Sequence, residues 1–595
     1  MRIHYKNKGL EKVLVGVNIF TAAIVAGSFV AIFGFYSPLL PERLLYFVQA
    51  ALLCIFIVEK VIRTFNSVSL KEYFRGFWFE IPLLLALAIS VVGAGRWFAL
   101  DNPTAVRHAA IGVYLVFQVV TKVCRTVVDL AASGRNPTQV LIASFLALII
   151  SGAGILMLPR ASAVDEEISF IDALFTSTSA TCVTGLIVKD TGKDFSVMGQ
   201  VVILSMIQLG GLGIVVFGAV FALLLGQALS LRGSVAMQDL LSTRTLGRIG
   251  NMIFFIFVGT IIIEAIGAVN MFGMWDDAAG WSGGFHKQWF YSIFHSISAF
   301  CNAGFSLMGE SFIGYRKSWQ IYGVICPLIV FGGLGFGVLY DLFNLIVDRI
   351  KRFFKRLFSK HHRFSMEAPK RMQLQTKIVL STSALLIVLG TLAIILFERY
   401  ASIDSSTEKA GILGALFQSI TARTAGFNTL DIKSMSASGR FILILLMFVG
   451  GSPGSTAGGI KTVTLAVIII ATIATLRKRQ EVEMFKRSIS IAVVGRAIAV
   501  TLLFVAVLFT ATLLLSITED VSGITMSDIL FETSSALGTV GLTTGITGSL
   551  TTAGKLIIIV VMLVGRLGPL TLLAALTFNL KPVRYSYPQE AIIVG

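Results

Sequence analysis

Apolar residues in this chain gather into runs of about twenty, the length at which a helix rising 1.5 Å per residue crosses a bilayer core. The first run, Val13–Phe35, has 23 residues. Basic residues precede it (Arg2, Lys6, Lys8, Lys12), as in a signal peptide. The run is nevertheless longer than the roughly 7–15-residue core of such a peptide, so a retained span is expected. Three further spans are expected near residues 43–64, 78–99 and 107–130, making a four-helix transmembrane module over 1–135.

From Thr138 the pattern changes to one plan written four times: a long apolar helix, a loop, a short apolar segment, a polar glycine-bearing turn and a second long helix. The units are expected over 136–230, 231–350, 351–480 and 481–595, the last with a C-terminal tail and the third with a broken second helix. The short segments Ile171–Ala180, Trp289–Ala299, Ile412–Ala422 and Ser527–Ala536 are too short to span and have the length of re-entrant helices. Non-helical backbone at that depth is tolerated only where protein buries it or water reaches it.

The turns that follow superimpose. They read Ser179-Ala180-Thr181-Cys182-Val183-Thr184-Gly185, Ser298-Ala299-Phe300-Cys301-Asn302-Ala303-Gly304, Thr421-Ala422-Arg423-Thr424-Ala425-Gly426 and Ser535-Ala536-Leu537-Gly538-Thr539-Val540-Gly541. A bulky apolar residue follows each final glycine. Glycine clusters then begin at Gly210, Gly332, Gly450 and Gly565, which is 25, 28, 24 and 24 residues beyond the turn glycine. Helix packing alone does not produce four such echoes. The expected fold is an all-α membrane protein with four M1-P-M2 units (helix, re-entrant pore loop, helix) around a central pore, preceded by four extra transmembrane helices.

Composition narrows the function. Of 595 residues 55% are hydrophobic and only 14% charged, against about a quarter charged in a soluble chain. The formal net charge of +17 does not point to nucleic acid, because the cations sit in alternate connecting loops. The basic loops are Lys60–Arg75, Lys122–Arg135, Arg232–Arg248, Arg349–Lys377 and Arg477–Arg496; between them lie Asp165–Glu167, Asp276–Asp277, Glu398–Glu408 and Glu519–Asp520. Excess Lys and Arg mark the inside, which places the N-terminus in the cytoplasm. Arg349–Lys377, the most basic loop, reads as a solvated inside loop or as a docking surface for a cytoplasmic partner or anionic membrane lipid. The five cysteines (Cys54, Cys124, Cys182, Cys301, Cys326) have no C-x-x-C spacing and no His partners, so neither disulfides nor zinc follow. His286, His295, His361 and His362 form no catalytic group with paired carboxylates. No catalytic residues are assigned, and an enzyme is not expected.

Four glycine turns around an axis suit a dehydrated monovalent cation. Backbone carbonyls solvate it without a full negative charge that would trap it, and glycine allows the backbone angles that aim carbonyls inward. Short helices ending at the pore would present their negative dipole ends. The candidate cation-binding filter residues, which the resemblance given below makes potassium-binding, are Val183, Thr184, Gly185, Asn302, Ala303, Gly304, Thr424, Ala425, Gly426, Thr539, Val540 and Gly541. Arg423 is expected behind the turn, since an arginine facing the ion would repel it. Glu264, inside the first helix of the second unit, is left between a neighbouring helix and a turn.

Several strings carry a family resemblance: Ile207-Gln208-Leu209-Gly210-Gly211-Leu212-Gly213, the stretch Gly450-Gly451-Ser452-Pro453-Gly454-Ser455-Thr456-Ala457-Gly458-Gly459-Ile460-Lys461-Thr462, and Gly565-Arg566-Leu567-Gly568-Pro569-Leu570-Thr571. Residues 137–595 resemble the bacterial potassium-uptake subunits of the TrkH/KtrB family (Trk/Ktr/HKT superfamily), and the fourth-unit string with Ile592-Ile593-Val594-Gly595 looks nearer KtrB. The resemblance implies potassium transport through a selectivity filter in a bacterial inner membrane, with potassium as substrate and no cofactor in this chain. It implies a homodimer on a separate cytoplasmic nucleotide-binding regulatory subunit (TrkA/KtrA-like). It also gives Gly450, Gly451, Ser452, Gly454, Ser455, Thr456, Gly458 and Gly459 as an intramembrane gate loop below the filter. This fits their chemistry, because such a run does not stay helical. Arg566 would be a cationic barrier beside that loop, the bland reading being a structural bond to its carbonyls. Gly333–Gly337 lies in a membrane helix and is no nucleotide site. A sodium-permeable or sodium-coupled transporter on the same fold is the alternative; in plant relatives a serine in the first filter accompanies sodium, and here Gly185 is present. The first 130 residues fall outside the family core. With only Arg107, Lys122 and Arg125 in the fourth span, a packing or assembly module is expected there rather than an arginine-rich voltage sensor.

Overall fold

The computed structural model describes residues 6–69, 80–93, 103–132, 137–163, 167–213, 249–277, 284–358, 370–401, 411–519 and 523–569, with 216, 217, 219, 571 and 573. The basic loop Arg232–Arg248, residues 359–369 of Arg349–Lys377 with His361 and His362, the boundary between the first two units and the terminal Ile592–Gly595 lie outside the described residues.

Among the described residues six helices are long and apolar enough to cross a membrane, and a bent pair makes a seventh candidate. The chain is therefore a multi-pass membrane protein. Helices α1 (Lys8–Phe33), α2 (Glu42–Asn66), α3 (Glu80–Gly93) and α4 (Pro103–Ala132) form the N-terminal module. Its core is Val25, Leu52, Phe56, Leu87, Tyr114 and Leu115. Asn7 caps α1 by accepting from the Gly9 and Leu10 amides, and its own amide donates to Asn66 Oδ1 at 2.9 Å, tying the start of α1 to the end of α2. At the other end the Arg160 amide donates to Gly34 O at 3.1 Å and joins the module to the rest of the chain.

The remainder is a fourfold succession. The first set is α5 (Pro137–Leu156), α6 (Phe170–Cys182) and α7 (Val197–Leu212). The second is α8 (Ile249–Met271), α9 (Phe285–Phe300), and α10 (Cys326–Leu334) running into α11 (Phe336–Phe358). The third is α12 (Leu374–Ala401), α13 (Ile412–Thr421), α14 (Ala437–Phe448) and α15 (Thr462–Leu476); the fourth is α16 (Ile491–Thr518), α17 (Met526–Gly538) and α18 (Thr552–Leu567). A short antiparallel hairpin, Val482–Met484 against Arg487–Ile489, separates the last two sets.

Common devices recur between sets. Glu398, near the end of α12, accepts from the Ser436 hydroxyl at 2.7 Å; Glu519, after α16, accepts from the Thr551 hydroxyl at 2.5 Å. The two carboxylates thus sit at the N-termini of α14 and α18, the second long helices of their sets, where the dipole and free amides favour them. Neighbouring sets are joined by ion pairs, Lys555 to Asp172 at 2.7 Å and Arg440 to Asp528 at 2.9 Å.

The second helices differ from the long spans expected from their hydropathy. α7 stops at Gly213 (φ 82°), α10 at Gly335 (φ 87°) and α18 at Gly568 (φ 84°), and the third set has a loop from 449 to 461. At Gly335 the helix axis turns by 104°, so Gly333–Gly337, read from sequence as lying within a helix, straddles a break. Left-handed backbone ends a right-handed helix, and glycine adopts it without a Cβ penalty.

Candidate functional site

The short helices α6, α9, α13 and α17 converge and end in turns of one geometry. Side-chain caps set the starts of α6 and α17: Ser169 Oγ accepts from the Asp172 amide, and Thr525 with Asp528 forms a capping box. Beyond their ends, two residues of each turn take positive φ: Val183 (57°) and Gly185 (90°), Asn302 (58°) and Gly304 (70°), Thr424 (81°) and Gly426 (81°), Thr539 (51°) and Gly541 (92°). The residue between them does not. This alternation of hand turns successive carbonyls to one side. For β-branched Val and Thr it is strained, at about 1–3 kcal/mol each, and needs outside support.

That support comes from the hydroxyl that opens each turn. Ser179 Oγ accepts from the Gly185 amide and Ser535 Oγ from the Gly541 amide, both at 3.1 Å. Ser298 Oγ donates to Phe305 O at 2.7 Å and Thr421 Oγ1 to Phe427 O at 2.9 Å. The four hydroxyls thus occupy the same place in the superimposed turns, two as acceptors and two as donors.

The four glycines then meet one another. A Cβ on Gly185 would stand 2.5 Å from the Ala303 carbonyl oxygen, and one on Gly304 2.7 Å from that of Ala425. Those on Gly426 and Gly541 would come closer still to the carbonyls of Val540 and Thr184. First turn touches second, second third, third fourth, and fourth first. The circuit closes, with room at each crossing for a hydrogen and nothing larger.

The glycine clusters lie behind this ring. A Cβ on Gly210, Gly332 or Gly565 would overlap the carbonyl of Thr181, Phe300 or Leu537, the last turns of the short helices in the same sets. Glycine here permits backbone-to-backbone packing. In the third set the cluster folds into the 449–461 loop. Its ends pair, the Gly450 amide donating to Ile460 O at 2.9 Å, and its middle reaches the second set, the Ser452 amide donating to Gly333 O at 2.9 Å. The Phe336 amide donates to Gly454 O at 3.0 Å, so the loop also caps the helix that starts after the bend.

Arg566 on α18 closes this assembly. Its guanidinium donates to Thr456 O in the loop, to Gly210 O, and to Gly211 O at 3.2 Å. A cavity of about 180 Å³ borders it, lined also by Gly213, Phe336, Gly454 and Ser455. Lys461, not singled out from sequence, is a second cation here and donates to Ala457 O at 2.6 Å. Its signal was available: an ammonium directly before an apolar helix, next to glycines.

Arg423 turns away from the ring and donates to Ser383 O on α12 at 3.0 Å. Glu264 answers the open choice with both partners, accepting from Gln208 of α7 at 3.2 Å and lying 4.0 Å from the Cys301 thiol of the second turn. Sequence reading also passed over a position three residues before each supporting hydroxyl, held by Thr176, His295, Gln418 and Glu532, all fully buried. Glu532 accepts from the hydroxyls of Thr543, at 2.9 Å, and Thr547; His295 Nε2 accepts from the Leu307 amide at 3.2 Å. These bonds brace the strand leaving the turn.

A buried circuit of backbone carbonyls in a multi-pass helical protein is the arrangement of a membrane transport protein. Residues 106–582 match TrkH, "Cation transport protein", and the chain belongs to that family; it is a transport protein and not an enzyme. It is 38% identical over 470 residues to Ktr system potassium uptake protein B of Bacillus subtilis (strain 168), covering 77% of this chain and 97% of that one. It is 37% identical over 466 residues to the protein of the same name in Vibrio alginolyticus, covering 78% and 96%. It is 35% identical over 466 residues to potassium/sodium uptake protein NtpJ of Enterococcus hirae, covering 77% and 97%. The crystal structure of the potassium transporter TrkH from Vibrio parahaemolyticus shares the fold at a TM-score of 0.56 and 19% identity, with 85% of this chain and 99% of that one covered.

Proposed function

We propose that the chain carries potassium across a membrane through four M1-P-M2 units, with the closed circuit of Gly185, Gly304, Gly426 and Gly541 as its selectivity filter. The observation that supports this best is that each of these glycines stands against the carbonyl before the next one, completing a ring. Carbonyls so placed replace water around a bare cation. The names of the Bacillus and Vibrio relatives support potassium as the substrate. The filter residues are Val183, Thr184, Asn302, Ala303, Thr424, Ala425, Thr539 and Val540 with those glycines. The loop 449–461 is the gate, and Arg566 holds it across the path while adding a positive charge below the ring.

The setting proposed with it is a bacterial inner membrane with the N-terminus inside, a homodimer, and a separate cytoplasmic nucleotide-binding regulatory subunit. The relatives' designation as part of a Ktr system supports such a subunit. The test is rubidium-86 uptake by the purified chain in liposomes, competed by potassium or sodium. Competition by potassium alone is expected. Equal competition by sodium would overturn potassium selectivity in favour of the second reading, a potassium and sodium pathway, which the name of the Enterococcus relative supports.

A further inference from the structure

Beyond the break at Gly335 the chain changes direction by 104° and α11 runs on for 23 residues. With Ile321–Leu334 crossing the bilayer, such a turn lays α11 close to the plane of the membrane. Its neighbours give the depth. The Phe255 ring, six residues after Ile249 at the start of α8, lies 5.1 Å from the Phe343 ring. Thr376, two residues after Leu374 at the start of α12, donates to the buried Asp341 carboxylate at 2.7 Å. At 1.5 Å per residue these contacts are about 9 and 3 Å from the helix ends. α11 therefore lies where α8 and α12 enter the membrane, on the side that excess Lys and Arg mark as the inside.

The helix has two unlike sides. At 3.6 residues per turn Phe343, Ile346, Ile350 and Phe353 share one, and Asp341, Asp348 and Arg352 the opposite one. The polar side is tied to the approach to α12: Asp341 also accepts from the Gln373 amide at 3.1 Å, and Asp348 from the Lys370 amide at 3.3 Å. The apolar side is exposed, by 49% at Phe343, 55% at Ile346, 48% at Ile350 and 63% at Phe353. Arg349 and Lys351, both exposed, flank it on either hand.

We propose that α11 is an interfacial helix that binds anionic phospholipid of the adjoining leaflet, and that this contact sets the position of the loop 449–461.

Position and charge both commit the stripe to lipid. A helix lying at this level sinks its apolar side roughly 5–10 Å toward the acyl chains. Long basic side chains beside the stripe then reach back to the headgroups. Arg349, Lys351, Lys370 and Arg371 are all exposed here, whereas Asp341 is buried and Asp348 is paired with Arg352 at 2.8 Å. The headgroup that complements such a surface is negative.

The other end of α11 meets the loop. The Phe336 amide, first in the helix, donates to Gly454 O at 3.0 Å, and a Cβ on Gly335 would stand 2.8 Å from Pro453 O. Tilting α11 about Gly335 would carry Gly454 with it. Holding α11 on charged lipid favours the loop position in which Arg566 bonds to Thr456 O. The effect on transport rests on reading this loop as the gate, whereas the lipid contact does not.

Two readouts separate those failures. The full chain is reconstituted in liposomes of phosphatidylcholine alone or mixed with phosphatidylglycerol. A fluorophore on Ile350→Cys, with Cys54 and Cys124 replaced by Ser, reports contact whether or not ions pass. Phospholipids brominated on their acyl chains should quench it, phosphatidylglycerol more strongly than phosphatidylcholine, and aqueous iodide should not. Rubidium-86 uptake should be several-fold lower in the phosphatidylglycerol mixture, and Arg349→Gln/Lys351→Gln should remove that difference. Uptake absent from every liposome would count against the transport reading alone. A label that bromine does not reach, as when a second copy or another protein covers the stripe, would overturn the proposal. So would quenching indifferent to headgroup charge, or a lipid difference that survives in the double variant.

Discussion

At the scale of single residues, four hydrogens decide whether the site exists. Gly185, Gly304, Gly426 and Gly541 each combine positive φ with a carbonyl where a side chain would start. We expect Gly541→Ala to lower rubidium uptake by ~tenfold or more, since one misplaced quarter opens the carbonyl ring. Gly154→Ala is the control: it faces open space on α5, and uptake should be unchanged. Glu532 is predicted to hold selectivity through the threonine hydroxyls it accepts. Glu532→Ala should reduce discrimination between rubidium and sodium several-fold in competition assays, and Glu532→Gln, which keeps an acceptor oxygen, should retain most of it. The ring glycines were legible from their fourfold recurrence. Glu532 was not, because its counterparts Thr176, His295 and Gln418 share only polarity and burial.

At the scale of elements, the informative features are the breaks. Hydropathy reports that a stretch is apolar and is blind to a glycine that takes left-handed backbone within it. The second helices were therefore expected long, whereas α7, α10 and α18 end at Gly213, Gly335 and Gly568. The third-set break was legible, since Pro453 and five glycines between 450 and 459 exceed what a helix tolerates. We expect deletion of Ser455–Gly458 to raise basal uptake measured without any regulatory subunit. Arg566→Gln should do so as well, by several-fold, because the guanidinium bonds to Thr456 O, Gly210 O and Gly211 O pin the loop to α7. Unchanged uptake in both variants would rule out a gating role for the loop.

For the whole molecule, the four sets must hold their rotational positions, because the ring closes only if all four meet. Lys555–Asp172 joins fourth to first and Arg440–Asp528 joins third to fourth, both partly buried. Removing one partner leaves a charge unpaired, and we expect Asp172→Asn to cost about 1–2 kcal/mol, between exposed and fully buried pairs. The readout is a lower unfolding temperature in detergent, with Asp172→Asn/Lys555→Gln less destabilised than the sum of the single changes.

By itself the sequence determined that the chain lives in a bilayer, where the glycine turns fall and which family it belongs to. These depend on local composition and period: the length of an apolar run, a glycine at a fixed offset, a charge in alternate loops. The tertiary structure alone decided which carbonyl each glycine faces, that Arg423 finds Ser383 as its partner, and that Glu264 joins Gln208 to Cys301. Each of these joins residues from different helices, with no fixed spacing along the chain. Contact between helices depends on their rotation and crossing in space, which the order of residues within any one of them does not contain.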